Sequence, residues 1–262
     1  MFFWSVALVL TAIALRCASV ELVGQKAYVE DIEFVFQLPN SATEGVIVLL
    51  HGCSHGSYDW WPSSPKCQDC LGLPIEVSIV RAGLSRGFAM IAISSVNRYH
   101  KCWTSADAPR IDKVLTAFLG DVLKRDIRST SIHILGASSG GKMAAYYAAS
   151  RSFVSSVNVQ ISYPTNIELA KLPPTLFTLM SRDTLSVESA NEYLKLIRKG
   201  MILIVDPQPL SDQYFHDHSN GAISTITSRR IVRALRKAGI IEHSNRLLLD
   251  DPRVSNWRDV SD

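Results

Sequence analysis

The pentapeptide Gly-Ala-Ser-Ser-Gly at residues 136–140 matches the pattern G-x-S-x-G, whose central serine can attack a carbonyl carbon. Such a serine needs a base to take its proton, and backbone N–H groups to hold the oxyanion that develops. The pattern alone is weak evidence, because glycine and serine are common residues. The flanking segments therefore decide between a nucleophile and a plain glycine-rich turn, such as a phosphate-binding loop.

The segments on either side of the pentapeptide predict a strand, a sharp turn and a helix. "SIHIL" precedes it as a short apolar run, and "GKMAAYYAAS" follows it with helical character. A serine on such a turn, called a nucleophile elbow, exposes its hydroxyl above the sheet, and Gly136 and Gly140 leave room for the turn. We therefore predict that Ser138 is a nucleophile and that the N–H of Ser139, at the helix N-terminus, is an oxyanion donor.

A second oxyanion donor is expected in the loop after the apolar run "GVIVLLHG". A loop at this place can turn its N–H groups toward the nucleophile. We assign this role to the backbone of Cys53, with the backbone of Ser54 as the alternative. His51 stands in the same loop, and we interpret its side chain as a structural group that bonds the loop backbone.

A larger fold must position these groups, and the chain shows strands alternating with helices. "AYVEDIEFVFQL" alternates polar and apolar residues, which is typical of an antiparallel hairpin. Further strands are predicted in "GVIVLLHG", "FAMIAISS", "SIHILG", "VSSVNVQIS", "PTLFTLMS" and "MILIVD", with helices between and after them. The predicted fold class is α/β, a mostly parallel central sheet flanked by helices on both faces. Sites in such sheets form at the carboxyl ends of the strands.

The chain resembles the α/β-hydrolase fold family in "VIVLLHG", followed at suitable spacing by "ILGASSGG" and by later strand-end loops with Asp and His. This resemblance covers nearly the whole mature chain. In "HGCSHGSYDWW", the "CQDC" pair and the ending "DPRVSNW", the chain also resembles a eukaryotic group of secreted α/β-hydrolase-like proteins. The second resemblance implies the fold but no substrate.

The family's order of catalytic residues is serine, then acid, then histidine. This order implies an acid after the strand "TLFTLMS", which points to Asp183 in "SRDTLS". Its carboxylate would hold the histidine tautomer and stabilise the imidazolium. The alternative role of Asp183 is a helix cap. Asp206 is the rival acid, although it lies one strand later, where the histidine loop is expected to begin.

The histidine is expected in the loop after the strand "MILIVD", which contains His216 and His218. One of them would take the proton of Ser138 and later protonate the leaving group. The spacing permits either. Family members often carry a glycine just before this histidine, whereas this chain has Phe215 and Asp217 in those positions.

Four cysteines follow the predicted leader: Cys53, Cys67, Cys70 and Cys102. An even number in an exported chain predicts two disulfides, for which three pairings are possible. The first three cysteines lie near two histidines, which is also typical of zinc sites, but the second ligand pair of a structural zinc pattern is missing. The "CQDC" pair has no thioredoxin-like strand before it, so a thioredoxin-like role is not expected. Because the zinc pattern is incomplete, we predict no metal site.

Three tryptophans share these strand-end loops: Trp60, Trp61 and Trp103. They are candidates for an aromatic wall of the substrate pocket, and packing within the loops is the alternative. The segment from Ser162 to Pro173 is too short for the lid domain that many lipases and peroxidases of the family insert there. An uncovered site favours small or exposed acyl groups.

The first residues predict export. Residues 2–15 form a weakly polar to apolar run that fits a signal peptide better than a membrane span. We expect a signal peptide at residues 1–19, a single α/β-hydrolase domain at residues 20–262, secretion, and no stable membrane span after cleavage. The alternative is an uncleaved anchor. The chain has no N-x-S/T acceptor for N-glycosylation.

The composition of the chain indicates which classes of partner are expected. The chain has 262 residues and a net charge of +3, without a long block of like charge, so nucleic-acid binding is not expected. The predicted function is hydrolysis of a small carboxylic ester or other acyl substrate through an acyl-Ser138 intermediate, with no metal or organic cofactor. The alternatives are a catalytically inactive secreted binding protein of the same fold and a serine peptidase.

Overall fold

The computed structural model of the protein describes residues 20–219, 221–244 and 247–249. The predicted leader at residues 1–19 and the ending "DPRVSNW" lie outside these ranges. The strands are β1 (Gln25–Val29), β2 (Ile32–Gln37), β3 (Gly45–Leu50), β4 (Phe88–Ile93), β5 (Ile132–Ala137), β6 (Val154–Gln160), β7 (Thr175–Met180) and β8 (Gly200–Val205). The α-helices are α1 (Pro74–Ser85), α2 (Ala108–Ala117), α3 (Ser139–Ala149), α4 (Thr184–Leu194), α5 (Tyr214–His218) and α6 (Thr225–Lys237).

The strands form one sheet in the order β1-β2-β4-β3-β5-β6-β7-β8. β1 pairs with β2, and β2 with β4, in antiparallel orientation. All other neighbours in this sheet are parallel. The early hairpin and the mostly parallel sheet confirm the α/β fold class predicted from the alternating pattern.

Both faces of the central strands are covered, because successive side chains of a strand point to opposite faces. Along β3, Val46, Val48 and Leu50 pack into a hydrophobic cluster that includes residues of α2 and α3. Leu49 packs into a second cluster, which includes residues of α1 and of the loop after β3. Helices therefore flank the sheet on both faces, which explains why the central strands are apolar throughout.

The register of the parallel strands brings their carboxyl ends to one edge. Leu50 of β3 is paired with Ile93 of β4 and with Gly136 of β5. Ala137, the last residue of β5, is paired with Gln160, the last residue of β6. The loops that follow β3, β4, β5 and β6 therefore emerge side by side, as expected for an open α/β sheet.

The C-terminal part of the described chain differs from the simple alternating pattern. The loop predicted after β8 contains the short helix α5, which carries both candidate histidines. α5 and α6 pack on each other around a small hydrophobic cluster of their own, centred on Leu210, Val232, Leu235 and Ile241. The candidate histidines therefore lie on a helix that packs with α6 around a separate hydrophobic cluster.

Candidate active site

Ser138 is the single residue between the end of β5 and the start of α3. Its backbone has φ 54° and ψ −118°, a conformation that side-chain-bearing residues rarely adopt. Its N–H donates to the carbonyl oxygen of Gln160 at 2.9 Å, which ties the turn to the end of β6. The strand, turn and helix predicted around the pentapeptide are confirmed, and the turn has the strained geometry of a nucleophile elbow.

Two glycines allow this turn to approach its neighbours closely. A Cβ on Gly136 would lie 2.1 Å from the carbonyl oxygen of Gly140, and a Cβ on Gly140 would lie 2.2 Å from the carbonyl oxygen of Leu50. Atoms cannot approach so closely, so a side chain at either position would push α3 away from the strand ends. The N-terminus of α3 is thereby held against the end of β3.

The loop after β3 lies beside the elbow. A Cβ built on Gly52 would be 3.7 Å from Cβ of Ser138. The N–H of Ser54 donates to the carbonyl oxygen of His100 at 2.9 Å, so it is not free to bind an oxyanion. In the part of the chain that the structure describes, the N–H groups of Cys53 and Ser139 have no backbone acceptor. Of the two predicted choices for the loop donor, Cys53 is therefore the one that is available.

The side chain of His51 supports this loop through both ring nitrogens. Its Nδ1 lies 2.7 Å from the carbonyl oxygen of Gly52, and its Nε2 accepts the N–H of Ser95 at 3.2 Å. The side chain is buried, and burial lowers its pKa to about 4. Both ring nitrogens of the neutral imidazole are thus occupied, which confirms the structural role predicted for His51.

The four cysteines form the disulfides Cys53–Cys102 and Cys67–Cys70. The first joins the candidate oxyanion loop to the loop after β4, and the second closes the "CQDC" turn. The predicted number of disulfides is confirmed, and the structure selects one of the three possible pairings. Because every sulfur atom of this group is bonded to another, the zinc alternative lacks the thiolate ligands it would need.

The three tryptophans are buried in these loops. Trp61 is 0% exposed, and its Nε1 donates to Oε1 of Gln37 at 3.0 Å; Trp60 lies in the same hydrophobic cluster. Trp103 donates from Nε1 to the carbonyl oxygen of His51 at 2.8 Å. This burial favours the packing alternative, in which the tryptophans hold the loops that surround the elbow. A wall that faces substrate stays a prediction.

Asp183 is the N-cap of α4. Its Oδ1 accepts the N–H of Ser186 at 3.3 Å, and its Oδ2 accepts the hydroxyl of Ser186 at 2.9 Å. This is the helix-cap role that the sequence offered as the alternative. A cap does not prevent a carboxylate from having a further function, so the catalytic role of Asp183 stays a prediction. Asp206 follows β8 and is exposed.

The two candidate histidines of α5 are held by backbone carbonyl groups. Nδ1 of His216 lies 2.7 Å from the carbonyl oxygen of Ile223, and Nδ1 of His218 lies 2.8 Å from that of Tyr214. A carbonyl oxygen can only accept, so Nδ1 carries the proton in each ring and Nε2 has the free electron pair. Either ring is in a tautomer that can accept a proton, but neither Nδ1 is bonded to the carboxylate expected in a triad.

Another histidine near the elbow was not among the predicted site residues. Nδ1 of His55 lies 2.9 Å from Oδ2 of Asp59, four residues later in the loop after β3. The histidine–aspartate spacing within "HGSYD" was the available signal in the sequence. The family order of serine, acid and histidine points instead to the C-terminal loops.

No protein-family model and no curated protein sequence matches this chain. Solved structures do resemble it. A CIB-like hydrolase from Thermoplasma acidophilum is 15% identical with a TM-score of 0.51, over 80% of this chain and 99% of that protein. An esterase from Pyrococcus furiosus is 9% identical with a TM-score of 0.50, over 80% of this chain and 92% of that one.

The acylaminoacyl peptidase of Pyrococcus horikoshii is also similar, at 14% identity and a TM-score of 0.54. The match covers 92% of this chain but only 44% of the peptidase, so this protein spans less than half of that relative's length. These structures define the class: the chain has the α/β-hydrolase fold. The similar proteins are hydrolases, and at such low identity they establish the architecture and not the reaction.

Proposed function

We propose that this protein is a secreted serine hydrolase that cleaves small carboxylic esters through an acyl-Ser138 intermediate. The observation that carries the proposal is the conformation of Ser138, held at positive φ between β5 and α3. Strain of this kind persists only where the surrounding structure enforces it, and it concentrates at functional sites. Here the enforcing contacts are the glycine approaches at residues 136 and 140 and the hydrogen bond to Gln160.

The reaction follows from the groups around the elbow. Oγ of Ser138 attacks the ester carbonyl carbon while a histidine takes its proton. The oxyanion receives hydrogen bonds from the N–H groups of Cys53 and Ser139. Collapse of this intermediate expels the alcohol, which takes the proton from the histidine. Water then attacks the acyl-enzyme in the same way and releases the acid. The family order nominates His216 or His218 as this base, with Asp183 as the acid.

The substrate class follows from the surroundings of the strand ends. Between β6 and β7 the chain forms only a short connection with a single turn of helix at Leu169–Lys171. No inserted domain covers the elbow from this connection, so small or water-exposed acyl groups fit better than long lipid chains. Within the described ranges no gating domain of the kind that would restrict the site to peptides is present, which favours an ester over a peptide bond.

Export is part of the proposal. The two disulfides are compatible with an oxidising compartment, where such bonds persist. Among the described residues, no helix has the length and apolar character needed to cross a bilayer. The predicted signal peptide at residues 1–19 would direct the chain into the secretory pathway, and N-terminal sequencing of the mature protein from a secreting cell tests its cleavage.

The decisive experiment is covalent labelling with a fluorophosphonate probe, which reacts with activated serines. Wild-type protein should be labelled at Ser138, identified by peptide mass spectrometry, and Ser138→Ala should not be labelled. Ser129→Ala is the matched control, since Ser129 is exposed and lies before β5, outside the elbow. A folded wild-type protein that resists the probe would refute the proposed hydrolase and favour the binding-protein alternative.

A further inference from the structure

His55 and Ser138 both lie next to Gly52. A Cβ built on Gly52 would lie 3.7 Å from Cβ of Ser138 and 3.8 Å from Cδ2 of His55. Both atoms therefore border the space that a side chain at position 52 would occupy. Cδ2 is bonded to Nε2, the ring nitrogen that would accept a proton. The imidazole and the serine thus border the same space, and contacts between a base and its nucleophile are often loose without substrate.

His55 is also paired with a carboxylate in the way that a catalytic base requires. Its Nδ1 lies 2.9 Å from Oδ2 of Asp59, whose side chain is 4% exposed, whereas that of His55 is 46% exposed. A carboxylate bonded to Nδ1 holds the proton there, leaves Nε2 as the acceptor and stabilises the imidazolium that forms. Among the residues that the structure describes, Nε2 of His55 has no hydrogen-bond partner.

The carboxylate of Asp59 is held in place by buried contacts. The N–H of Gly56 donates to Oδ2 of Asp59 at 2.9 Å. Ser57, in the same helical turn, donates its hydroxyl to Glu33 of β2 at 3.0 Å and its N–H to Ser94 at 3.0 Å. This turn is thus fixed to the sheet by groups that are themselves buried. Rigid support of this kind lowers the cost of orienting a catalytic pair.

The contrast with α5 favours His55. His216 and His218 are oriented by backbone carbonyl groups, which carry only a partial charge, so they stabilise an imidazolium less than the carboxylate of Asp59 does. They also lie on α5, which packs with α6 around a separate hydrophobic cluster. His55 instead shares its short loop with Cys53, the available oxyanion donor, which the disulfide to Cys102 fixes in place.

We propose that His55 is the base that activates Ser138, and that Asp59 is the residue that positions and stabilises His55. This inference rests on the proposed function, because it needs Ser138 to be a nucleophile. Nε2 of His55 takes the proton as Oγ of Ser138 bonds to the carbonyl carbon, and returns it to the departing alkoxide. In the second half of the cycle it takes a proton from water and returns it to Oγ as the acid leaves.

The charges around His55 set the direction of its pH dependence. The hydrogen bond to Asp59 raises the pKa of His55 above its ordinary value of 6.5, burial opposes this, and the negative charges of Asp59 and Glu76 add to it. Lys101 lowers the pKa of His55 slightly. Since the base must be neutral, the rate of acylation is expected to rise with pH, with its midpoint above pH 6.5.

The test measures the rate of fluorophosphonate labelling of Ser138 between pH 5 and 9. His55→Ala is expected to slow labelling by about 10²- to 10⁴-fold, the usual contribution of a general base. Free imidazole in the buffer should restore part of the rate, which it would not do if His55 were merely structural. Asp59→Asn should slow labelling and move the midpoint of the pH profile below that of wild type. His243→Gln, an exposed histidine far along the chain, is the control.

The outcomes separate this inference from the proposed function. If wild type is labelled at Ser138 but His55→Ala is labelled at the same rate, the assignment of His55 is wrong and the nucleophile stands. A large loss in His216→Ala or His218→Ala, with His55→Ala unaffected, would return the base to α5. If wild type is not labelled at all, both proposals fail. Circular dichroism and thermal melts show that each variant is folded, and imidazole rescue within His55→Ala does not depend on comparing stabilities.

Discussion

Glycine at position 138 should give a more stable protein than alanine does, although glycine normally destabilises. Ser138 has φ 54° and ψ −118°, where a Cβ collides with the neighbouring backbone. Ser138→Ala keeps the Cβ and therefore keeps this strain. Ser138→Gly removes it, because glycine adopts positive φ without steric cost. Both variants lose the hydroxyl, so the difference between their stabilities reports the backbone strain at the elbow together with the greater freedom that glycine gives the unfolded chain.

The magnitude follows from two opposing terms. A residue held in a sparsely populated backbone region costs about 1–3 kcal/mol. Glycine gives the unfolded chain more freedom, which disfavours folding by about 0.4–1 kcal/mol. The side chain of Ser138 is small and only partly buried, so the loss of its Cβ leaves no sizeable cavity. The net expectation is that Ser138→Gly is more stable than Ser138→Ala by about 1 kcal/mol, or about 2–4 °C in Tm.

The neighbouring serine supplies the control. Ser139 is the first residue of α3 and has ordinary helical backbone geometry, so glycine there is expected to be less stable than alanine by about 0.5–1 kcal/mol. Urea denaturation and thermal melts of the four variants measure both differences. The free energy of unfolding of the glycine variant minus that of the alanine variant should be positive at position 138 and negative at position 139. The same sign at both positions would refute the strained elbow and remove the observation on which the proposed function rests.

Three further predictions concern the frame around the elbow. The pKa of His51 is lowered to about 4 in the folded protein. Between pH 4 and 6.5 its imidazole is therefore protonated in the unfolded protein but not in the folded one. The free energy of unfolding should fall by up to about 3 kcal/mol as the pH falls through that window. Urea titrations should show a shallower fall in His51→Gln. Replacing both Cys53 and Cys102 by serine should lower the free energy of unfolding in urea titrations by about 4 kcal/mol, because that disulfide spans 49 residues. Opening the Cys67–Cys70 disulfide, which spans three residues, should lower it by about 2 kcal/mol. Gly140→Ala places a Cβ 2.2 Å from the carbonyl oxygen of Leu50 and should abolish labelling while lowering the Tm; near wild-type labelling would contradict this packing.

Much of the fold was predictable because its signals are local. The apolar run of β3 and the alternation across β1 and β2 each lie within one segment, and each strand was recovered within a residue or two. The turn at Ser138 was equally local, since a strand, a small-residue turn and a helix follow one another without a gap. The helix α5 was not predicted, because five residues with no long periodicity carry little helical signal.

The roles of the site residues depended on contacts that a sequence does not display. The loop cysteines allowed three pairings, and both Cys53 and Ser54 were possible oxyanion donors. In the structure the N–H of Ser54 donates to the carbonyl oxygen of His100 in the loop after β4, so the N–H of Cys53 is the one left available, and its role as oxyanion donor stays a prediction. Likewise Asp183 matched the family order as an acid, and only the contacts of its carboxylate show that it caps α4.

By itself the sequence determined the order of strands and helices and the position of the elbow, because hydrophobic periodicity and glycine spacing act over a few residues. The tertiary structure alone decided what surrounds Ser138. The loop that carries His55 lies beside Ser138 because β3 and β5 are neighbours in the sheet and Leu50 is paired with Gly136. A Cβ built on Gly52 would lie within 4 Å of both Ser138 and His55, so these two residues border the same space beside the glycine. Proximity of this kind depends on strand pairing between distant segments, which no local pattern encodes.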